Sequence, residues 1–425
     1  MFRRLLPLSA ALLALAHNPV ALAGLTPEEQ QIVARVDAQW DDFARDLQAA
    51  VMVDSPTENF AGVRQMAAVF GRQLTALGFE CRFVELPAAT GRAGHLVAER
   101  KGTLGKRVLL LGHLDTVYPG GNYRREGETA HGSGVADMKG GDVVMLHALR
   151  ALHASGVLAD RQVIVVMTGD EESPGSPLEV VRRDLFEAAR RSDLVLAFES
   201  AIGHTGTIAR RGSISWELEV QGTTAHSSGI FSPAVGAGSV YEMARILSAF
   251  YAELRQLDGV TLNPALVAGG AEGELSRTGG RVAGKTNIIA QRTLVRGDLR
   301  FVSAGQLAEA QALMQAIVTK NNLPRTSAVL KFSEGYAAMP PSPENRALLA
   351  ELDRASRDLG FGEITEFDPR GRGAGDISFV SPPLPGLDGL GLGGKGEHTL
   401  NESTDLTTAP ELVKRAAVLI YRLTR

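Results

Sequence analysis

The chain has 425 residues, with 48 acidic and 44 basic side chains and a formal net charge of −4. That length admits two domains, and the near-balanced charge argues against nucleic acid or another polyanion as partner. A single cysteine, Cys81, excludes an internal disulfide and a cysteine-rich zinc site, which leaves histidine and carboxylates as metal ligands; Cys81 itself reads as a small packed residue.

Residues 1–23 read as a secretory signal. Met1 to Arg4 is basic, the apolar run 5–16 is too short to span a bilayer, and Ala21-Leu22-Ala23 offers a small-x-small cleavage site. Cleavage would leave a periplasmic or secreted chain starting near Gly24, with no membrane segment. Residues 27–50 are amphipathic, with Ile32, Val33, Val36, Trp40 and Phe43 at helical spacing, and Thr26 with Glu29 resembles a capping box. One helix is predicted there and another over 62–77. Strands follow at 80–86, 95–101 and 107–112, then a helix over 142–156 with Val143, Leu146, Leu149 and Leu152 on one face. A strand at 162–168, a helix over 177–189 and a strand at 194–198 complete the pattern. Strands alternating with helices predict an α/β fold, a mostly parallel twisted sheet covered on both faces.

From about Gly212 the texture changes. Strong alternation over 213–221, a helix over 235–257, strand character over 287–301, a helix over 304–320 and a strand at 328–334 suggest a small inserted α+β domain of ferredoxin-like order. The glycine-rich 269–284 reads as a mobile loop rather than a phosphate cradle, since it lacks a strand-glycine-helix context. Helices over 345–360 and 406–423 close the chain. The predicted organisation is a signal peptide (1–23), the first part of a catalytic domain (24–211), an inserted domain (212–337) and the second part of the catalytic domain (338–425).

Chemistry collects where the predicted strands end. His113, Asp137, Glu172, Glu199 and His398 all fall at strand ends or in the glycine bends after them, on the rim where open α/β sheets place ligands. Asp115, two residues past His113, points to the same side in extended chain and is placed to accept the second ring N–H of that histidine. Other histidines, including His95, His131, His147, His153 and His204, belong to no such motif and read as structural or surface residues.

Taken together, Gly112-His113-Leu114-Asp115-Thr116, Ala136-Asp137-Met138-Lys139-Gly140-Gly141, Gly169-Asp170-Glu171-Glu172-Ser173, Phe198-Glu199, Gly222-Thr223-Thr224-Ala225-His226 and Glu397-His398 resemble the M20 family of dinuclear zinc exopeptidases and deacylases. The resemblance spans essentially the whole mature chain and is greatest to the bacterial glutamate carboxypeptidases. It implies a zinc-exopeptidase-like fold with an inserted dimerisation and lid domain, two Zn²⁺ per subunit (Co²⁺ or Mn²⁺ as alternatives), and a homodimer. His113 and Glu199 would bind one ion and Glu172 and His398 the other, with Asp137 bridging beside a water or hydroxide. Three carboxylates and one hydroxide would cancel the four positive charges, so the cluster avoids a large desolvation cost. The ions would lie about 3.5–4 Å apart.

The resemblance further implies Glu171 as general base, Asp115 as the group orienting His113, and His226 reaching across the dimer to the oxyanion. Asn287 and Arg300 match positions that grip a substrate α-carboxylate, a task suited to the planar guanidinium. Arg372-Gly373-Ala374-Gly375-Asp376 matches a loop lining the specificity pocket, but departs from the family in Arg372 and in Gly375 before Asp376. Glu334-Gly335-Tyr336 departs where glutamate-specific relatives are basic. A cis peptide at Asp137-Met138 is also implied. Glu199, rather than Asp, resembles the carboxypeptidase and deacylase branch. The expected function is hydrolysis of the amide bond to a C-terminal amino acid, glutamate favoured, in N-acyl amino acids, folate-like compounds or short peptides. An N-acyl-amino-acid deacylase or dipeptidase is the alternative within the family, and a periplasmic binding or scaffold protein the alternative outside it.

Overall fold

The computed structural model describes residues 24–276 and 279–425; the expected signal segment 1–23 lies outside them. Helix α1 (Pro27–Asp37) opens on a reciprocal capping box between Thr26 and Glu29, with Pro27 where no donor is needed. The single helix expected over 27–50 is two, because α2 (Trp40–Val51) starts afresh after a turn at Ala38 and Gln39. After the break both helices lie against the helix that follows Asp137, and α1 also packs against the C-terminal helix. Helix α3 (Phe60–Ala76) is capped by the Asn59 side chain, which accepts the Gly62 N–H at 3.1 Å.

Strands β1 (Glu80–Glu85), β2 (Gly94–Arg100), β3 (Leu104–His113), β4 (Arg161–Thr168) and β5 (Leu194–Ala197) form one six-stranded sheet with a short edge strand, Gly386–Leu387. The order is β1-β2-β4-β3-β5-edge; β4, β3, β5 and the edge strand are mutually parallel, and β2 is antiparallel to both neighbours. A sheet covered on both faces needs consecutive apolar side chains, and Val108, Leu109, Leu110 and Leu111 of β3 are all buried. Val108 and Leu110 join the core containing α4 (Lys139–Ala154), whereas Leu109 and Leu111 face the other core. The helix expected over 177–189 is split into α5 (Leu178–Val181) and α6 (Arg183–Arg190) at Arg182, a fully buried residue.

The inserted unit contains β6 (Gly212–Gln221), α7 (Ser239–Leu254), β7 (Thr261–Gly270), β8 (Arg292–Phe301), α8 (Ala304–Thr319) and β9 (Ser327–Tyr336). Its sheet is antiparallel throughout, in the order β7-β8-β6-β9. The alternation along β6 sends Ile214, Trp216, Leu218 and Val220 into one core, where Trp216 meets Phe250 of α7 edge-on at 5.9 Å. The opposite face carries cross-strand ion pairs, Glu219 with Arg292 at 2.8 Å and Glu217 with Arg296 at 2.5 Å.

Two expectations fail in this unit. Strand β7 was hidden by its glycines and by Pro264, which lacks an N–H and is tolerated at a register shift on an edge strand. Within 269–284, read as a loop, Glu272–Leu275 pairs antiparallel with Gly280–Ala283, and Gly269 and Gly270 end β7. Backbone hydrogen bonds make that ribbon, so its scarcity of side chains does not prevent it.

The chain leaves for the inserted unit at Arg210 and returns at Met339, whose backbones exchange hydrogen bonds of 2.9 and 3.0 Å. Helix α9 (Pro343–Asp358) and helix α10 (Ala409–Thr424) then complete the larger unit, α10 lying against α1 and α4. Among the described residues no helix is long and apolar enough to cross a membrane.

Candidate metal centre

The parallel strands deliver the chemistry to one rim. His113 is the last residue of β3, Glu171 and Glu172 lie in the loop after β4, and Glu199 follows β5. Asp137 ends the bend before α4, and the peptide between Asp137 and Met138 is cis. Close approach of α4 to the strand ends requires glycine: a Cβ on Gly112 would lie 1.9 Å from Asp142 Oδ1, and one on Gly141 would lie 1.9 Å from the Phe198 carbonyl.

Asp137 is the centre of the cluster. Its Oδ1 lies 3.3 Å from His113 Nε2, and its Oδ2 lies 3.0 Å from His398 Nε2. Glu199 Oε1 stands 3.8 Å from His113 Nε2, and Glu172 Oε2 stands 3.2 Å from His398 Nε2. Each Asp137 oxygen thus faces one histidine, and each histidine has one glutamate beside it. His113 is 1 % exposed and His398 59 %, so the cluster opens to solvent on the His398 side.

The charge states follow from this crowding. Burial would lower the His113 pKa, but Asp115, Asp137 and the charges of Glu171 and Glu199 raise it well above the ordinary imidazole value. Hydrogen bonds to Asp137 and Glu172 raise His398 to about 11. Burial, followed by the Glu199 charge, pushes Glu171 well above the carboxylate range, and burial raises Glu199 to about 7. Asp137 moves down: the two histidines outweigh its burial.

The donor set fits a cation. Among the described residues, His113, Asp137 and Glu172 each place one ligand atom within 4.8 Å of the others. Imidazole nitrogen with carboxylate oxygen suits zinc, cobalt or manganese.

Asp115 accepts the second ring N–H of His113 as expected, but chiefly through its backbone carbonyl. The His113 Nδ1 lies 3.0 Å from the Asp115 carbonyl, which can only accept, so Nδ1 carries the proton and Nε2 is left to face the cluster. The Asp115 carboxylate stands farther off, with Oδ1 at 3.5 Å. Its oxygens accept the Glu171 and Glu172 N–H groups at 3.1 Å each and the Thr57 hydroxyl at 2.7 Å. The carboxylate thus sets the loop that bears both glutamates.

Several further residues of the centre had no sequence signal, because their partners are distant backbone or buried charges. Glu402 accepts the N–H groups of Gly134, Ala136 and Asp137 at 2.7, 2.8 and 2.9 Å. Arg210, nearly buried, binds Asp388 at 2.5 Å and stands 3.7 Å from Glu199. Arg182 bridges Asp170 at 2.5 Å and Asp376 at 3.0 Å beneath the loop that carries Glu171. Tyr336 donates to the Glu171 carbonyl; burial, with the charges of Glu171 and Asp376, keeps its hydroxyl protonated.

The expected substrate residues are scattered. Arg372 is buried near the centre, donating Nη2 to the Ser200 carbonyl at 2.7 Å, with its Nε unpartnered. Asp376 of the same loop borders a small cavity shared with His113, Glu171 and Glu199, and its carboxylate accepts the Thr168 hydroxyl at 2.5 Å and the Arg182 guanidinium. Arg300 is held by Asp298 of its own strand at 3.0 Å. His226 is exposed, its Nδ1 2.9 Å from Ser228 Oγ, and Asn287 accepts the Ser227 N–H at 2.9 Å through its carbonyl. Among the described residues no hydrogen bond or ion pair joins His226, Asn287 or Arg300 to the Asp137 cluster of the same chain.

Comparison with known proteins agrees with this architecture. The chain is 25 % identical to carboxypeptidase G2 of Pseudomonas sp. strain RS-16 over 386 residues, covering 89 % of this chain and 88 % of that one. It is 27 % identical to a succinyl-diaminopimelate desuccinylase of Sphingopyxis alaskensis over 344 residues, covering 78 % and 85 %. A Bacillus subtilis structure described as a dinuclear metal binding peptidase of the M20 family superposes with a TM-score of 0.60 at 13 % identity, covering 91 % of this chain and 99 % of that one. The model of peptidase family M20/M25/M40 matches residues 109–423, which span every residue of the cluster, and the chain belongs to that family.

Proposed function

We propose that the mature chain is an exported, zinc-dependent exopeptidase that hydrolyses the amide bond to a C-terminal amino acid, glutamate favoured, in N-acyl amino acids, folate-like compounds or short peptides. The observation that carries the reading is the shared Asp137 carboxylate, with His113 at one oxygen and His398 at the other, and with Glu199 beside His113 and Glu172 beside His398. This arrangement suits two ions, as in the Bacillus subtilis relative described as dinuclear. Such ions, when bound, supply Lewis acidity that polarises an amide carbonyl and acidifies water.

The chain's own groups do the rest. The Glu171 carboxylate accepts a proton from the attacking water and delivers it to the leaving amine nitrogen. Asp115 keeps this base and the neighbouring Glu172 in register through their backbone N–H groups. His226 of the partner subunit donates a hydrogen bond to the oxyanion. A homodimer is supported by apolar groups exposed beside that histidine: Ile288 pairs with His226, and Phe231 packs on Tyr241 at 5.6 Å, all three exposed. Asn287 and Arg300 bind the substrate α-carboxylate, Arg300 releasing Asp298 to do so, and Arg372 borders the side-chain pocket. The signal segment 1–23 and a periplasmic or secreted location belong to the same proposal.

The desuccinylase relative favours a second reading, an N-acyl-amino-acid deacylase whose specificity lies in the acyl group. A panel of N-acyl glutamates, N-succinyl amino acids and dipeptides, assayed with and without chelator, separates the readings. Fastest release of C-terminal glutamate supports the carboxypeptidase. A requirement for a free substrate amine excludes it, and binding without turnover supports a binding protein instead.

A further inference from the structure

The return strand of the inserted unit ends in Glu334-Gly335-Tyr336, and the site described above uses neither side chain of that motif chemically. Both reach out of the inserted unit onto one segment of the larger unit. Tyr336 Oη donates to the Glu171 carbonyl, and Glu334 Oε2 accepts the Leu178 N–H at 3.1 Å. Residues two apart on a strand point the same way, and the register of β9 with β6 shifts between Phe332 and Gly335, which bends that end. The Tyr336 ring packs on Phe379 with centroids 5.0 Å apart; Phe379 in turn lies 5.3 Å from the Arg182 guanidinium, which grips Asp170. The peptide presenting Glu171 is thus held on one side by the buried Arg182 network and on the other by the inserted unit.

We propose that Tyr336 is a positioning residue that ties the inserted unit to the peptide carrying the general base, so that the pose of the inserted unit fixes the reach of Glu171. The inference rests on the hydrolase reading given under Proposed function. Its physical basis is the steep dependence of proton transfer on placement, since a misplacement of about 1 Å costs up to about 100-fold in rate. Hinge segments that bear on a catalytic loop act on turnover in this way.

The test is Tyr336→Phe in the full-length, metal-loaded protein, which keeps the ring against Phe379 and removes only the donor. Tyr251→Phe, at an exposed phenol, is the control. The expected result is a kcat lower by about tenfold with KM within about twofold. Deuterium uptake by peptides covering 169–175 should rise, with metal content and melting temperature unchanged. Unchanged kcat and uptake overturn the proposal, as does a fall in kcat that merely tracks loss of metal or of melting temperature. If the wild-type protein turns over no substrate, the hydrolase reading fails on its own, and uptake over 169–175 still decides whether Tyr336 holds that segment.

Discussion

The Glu402 carboxylate accepts the backbone N–H of Asp137 at 2.9 Å, although 265 positions separate the two residues. Glu402 lies in the loop that carries His398, so one carboxylate fastens two ligand-bearing segments together. Replacing it by glutamine keeps the shape but turns an N–H donor toward donors. Glu402→Gln is expected to weaken divalent-metal affinity by about 10–100-fold, measured by competition with a chelator of known affinity.

Glu171 sits beside a ligand without being counted as one, which separates its role from metal binding. Glu171→Gln is expected to lower kcat by about 10²–10⁴-fold while elemental analysis still finds the wild-type metal content. Loss of metal together with rate would reassign Glu171 to the ligand set.

Protonation of the cluster makes metal uptake a proton exchange. Without metal, His113 is raised well above its ordinary value and His398 to about 11, so both imidazoles carry protons at neutral pH. A metal ion needs them neutral, so affinity should fall as pH falls. Calorimetric titration in two buffers of different ionisation enthalpy should report release of on the order of two protons per chain near pH 7. Zero proton release would contradict these charge states.

The hydrogen bonds of His226 go to Ser228 and not to the cluster, so the proposed role at the oxyanion requires a second chain. His226→Ala and Glu171→Gln are each expected to be nearly inactive alone. Mixed and allowed to re-associate, they should recover about one quarter of wild-type activity, because half of randomly formed dimers then contain one intact site. No recovery despite exchange of subunits would place His226 outside the reaction.

At the opposite end of the molecule, Glu29 is 1 % exposed. It accepts the Arg422 guanidinium at 2.7 Å and the Thr26 N–H at 2.8 Å. Burial alone would raise its pKa, but Arg422 and Thr26 together hold it below the ordinary 4.5. A carboxyl depressed in the folded state stabilises above its unfolded pKa, and that stability is lost as pH falls through the folded value. Glu29→Gln is therefore expected to cost about 3 kcal/mol of unfolding free energy at pH 7. The gap between variant and wild type should narrow progressively as the pH falls from the ordinary carboxylate value through the lower folded-state value in denaturant titrations.

Much of the centre was legible because the chain writes it locally. His113, Glu172 and Glu199 each follow an apolar run that could only be a buried strand, and Asp137 ends a glycine bend into an amphipathic helix. Glu402, Arg210 and Tyr336 were not legible, since each acts on a group brought near only by the fold, and their types suit any polar loop or strand end. The turn at Ala38 and Gln39 was hidden for a related reason: helical periodicity runs through it, and nothing local marks the break. The inserted unit misled most where glycine and proline suppress side-chain patterning, at β7 and the hairpin after it.

The central claim is that Asp137 is shared between two cation seats that enable amide hydrolysis. Chelator-stripped protein titrated with zinc, with hydrolysis of an N-acyl glutamate followed in the same samples, tests it most directly. The account predicts about two ions bound per chain, with activity returning as they bind. Binding of less than one ion, or hydrolysis undiminished in the stripped protein, would contradict it.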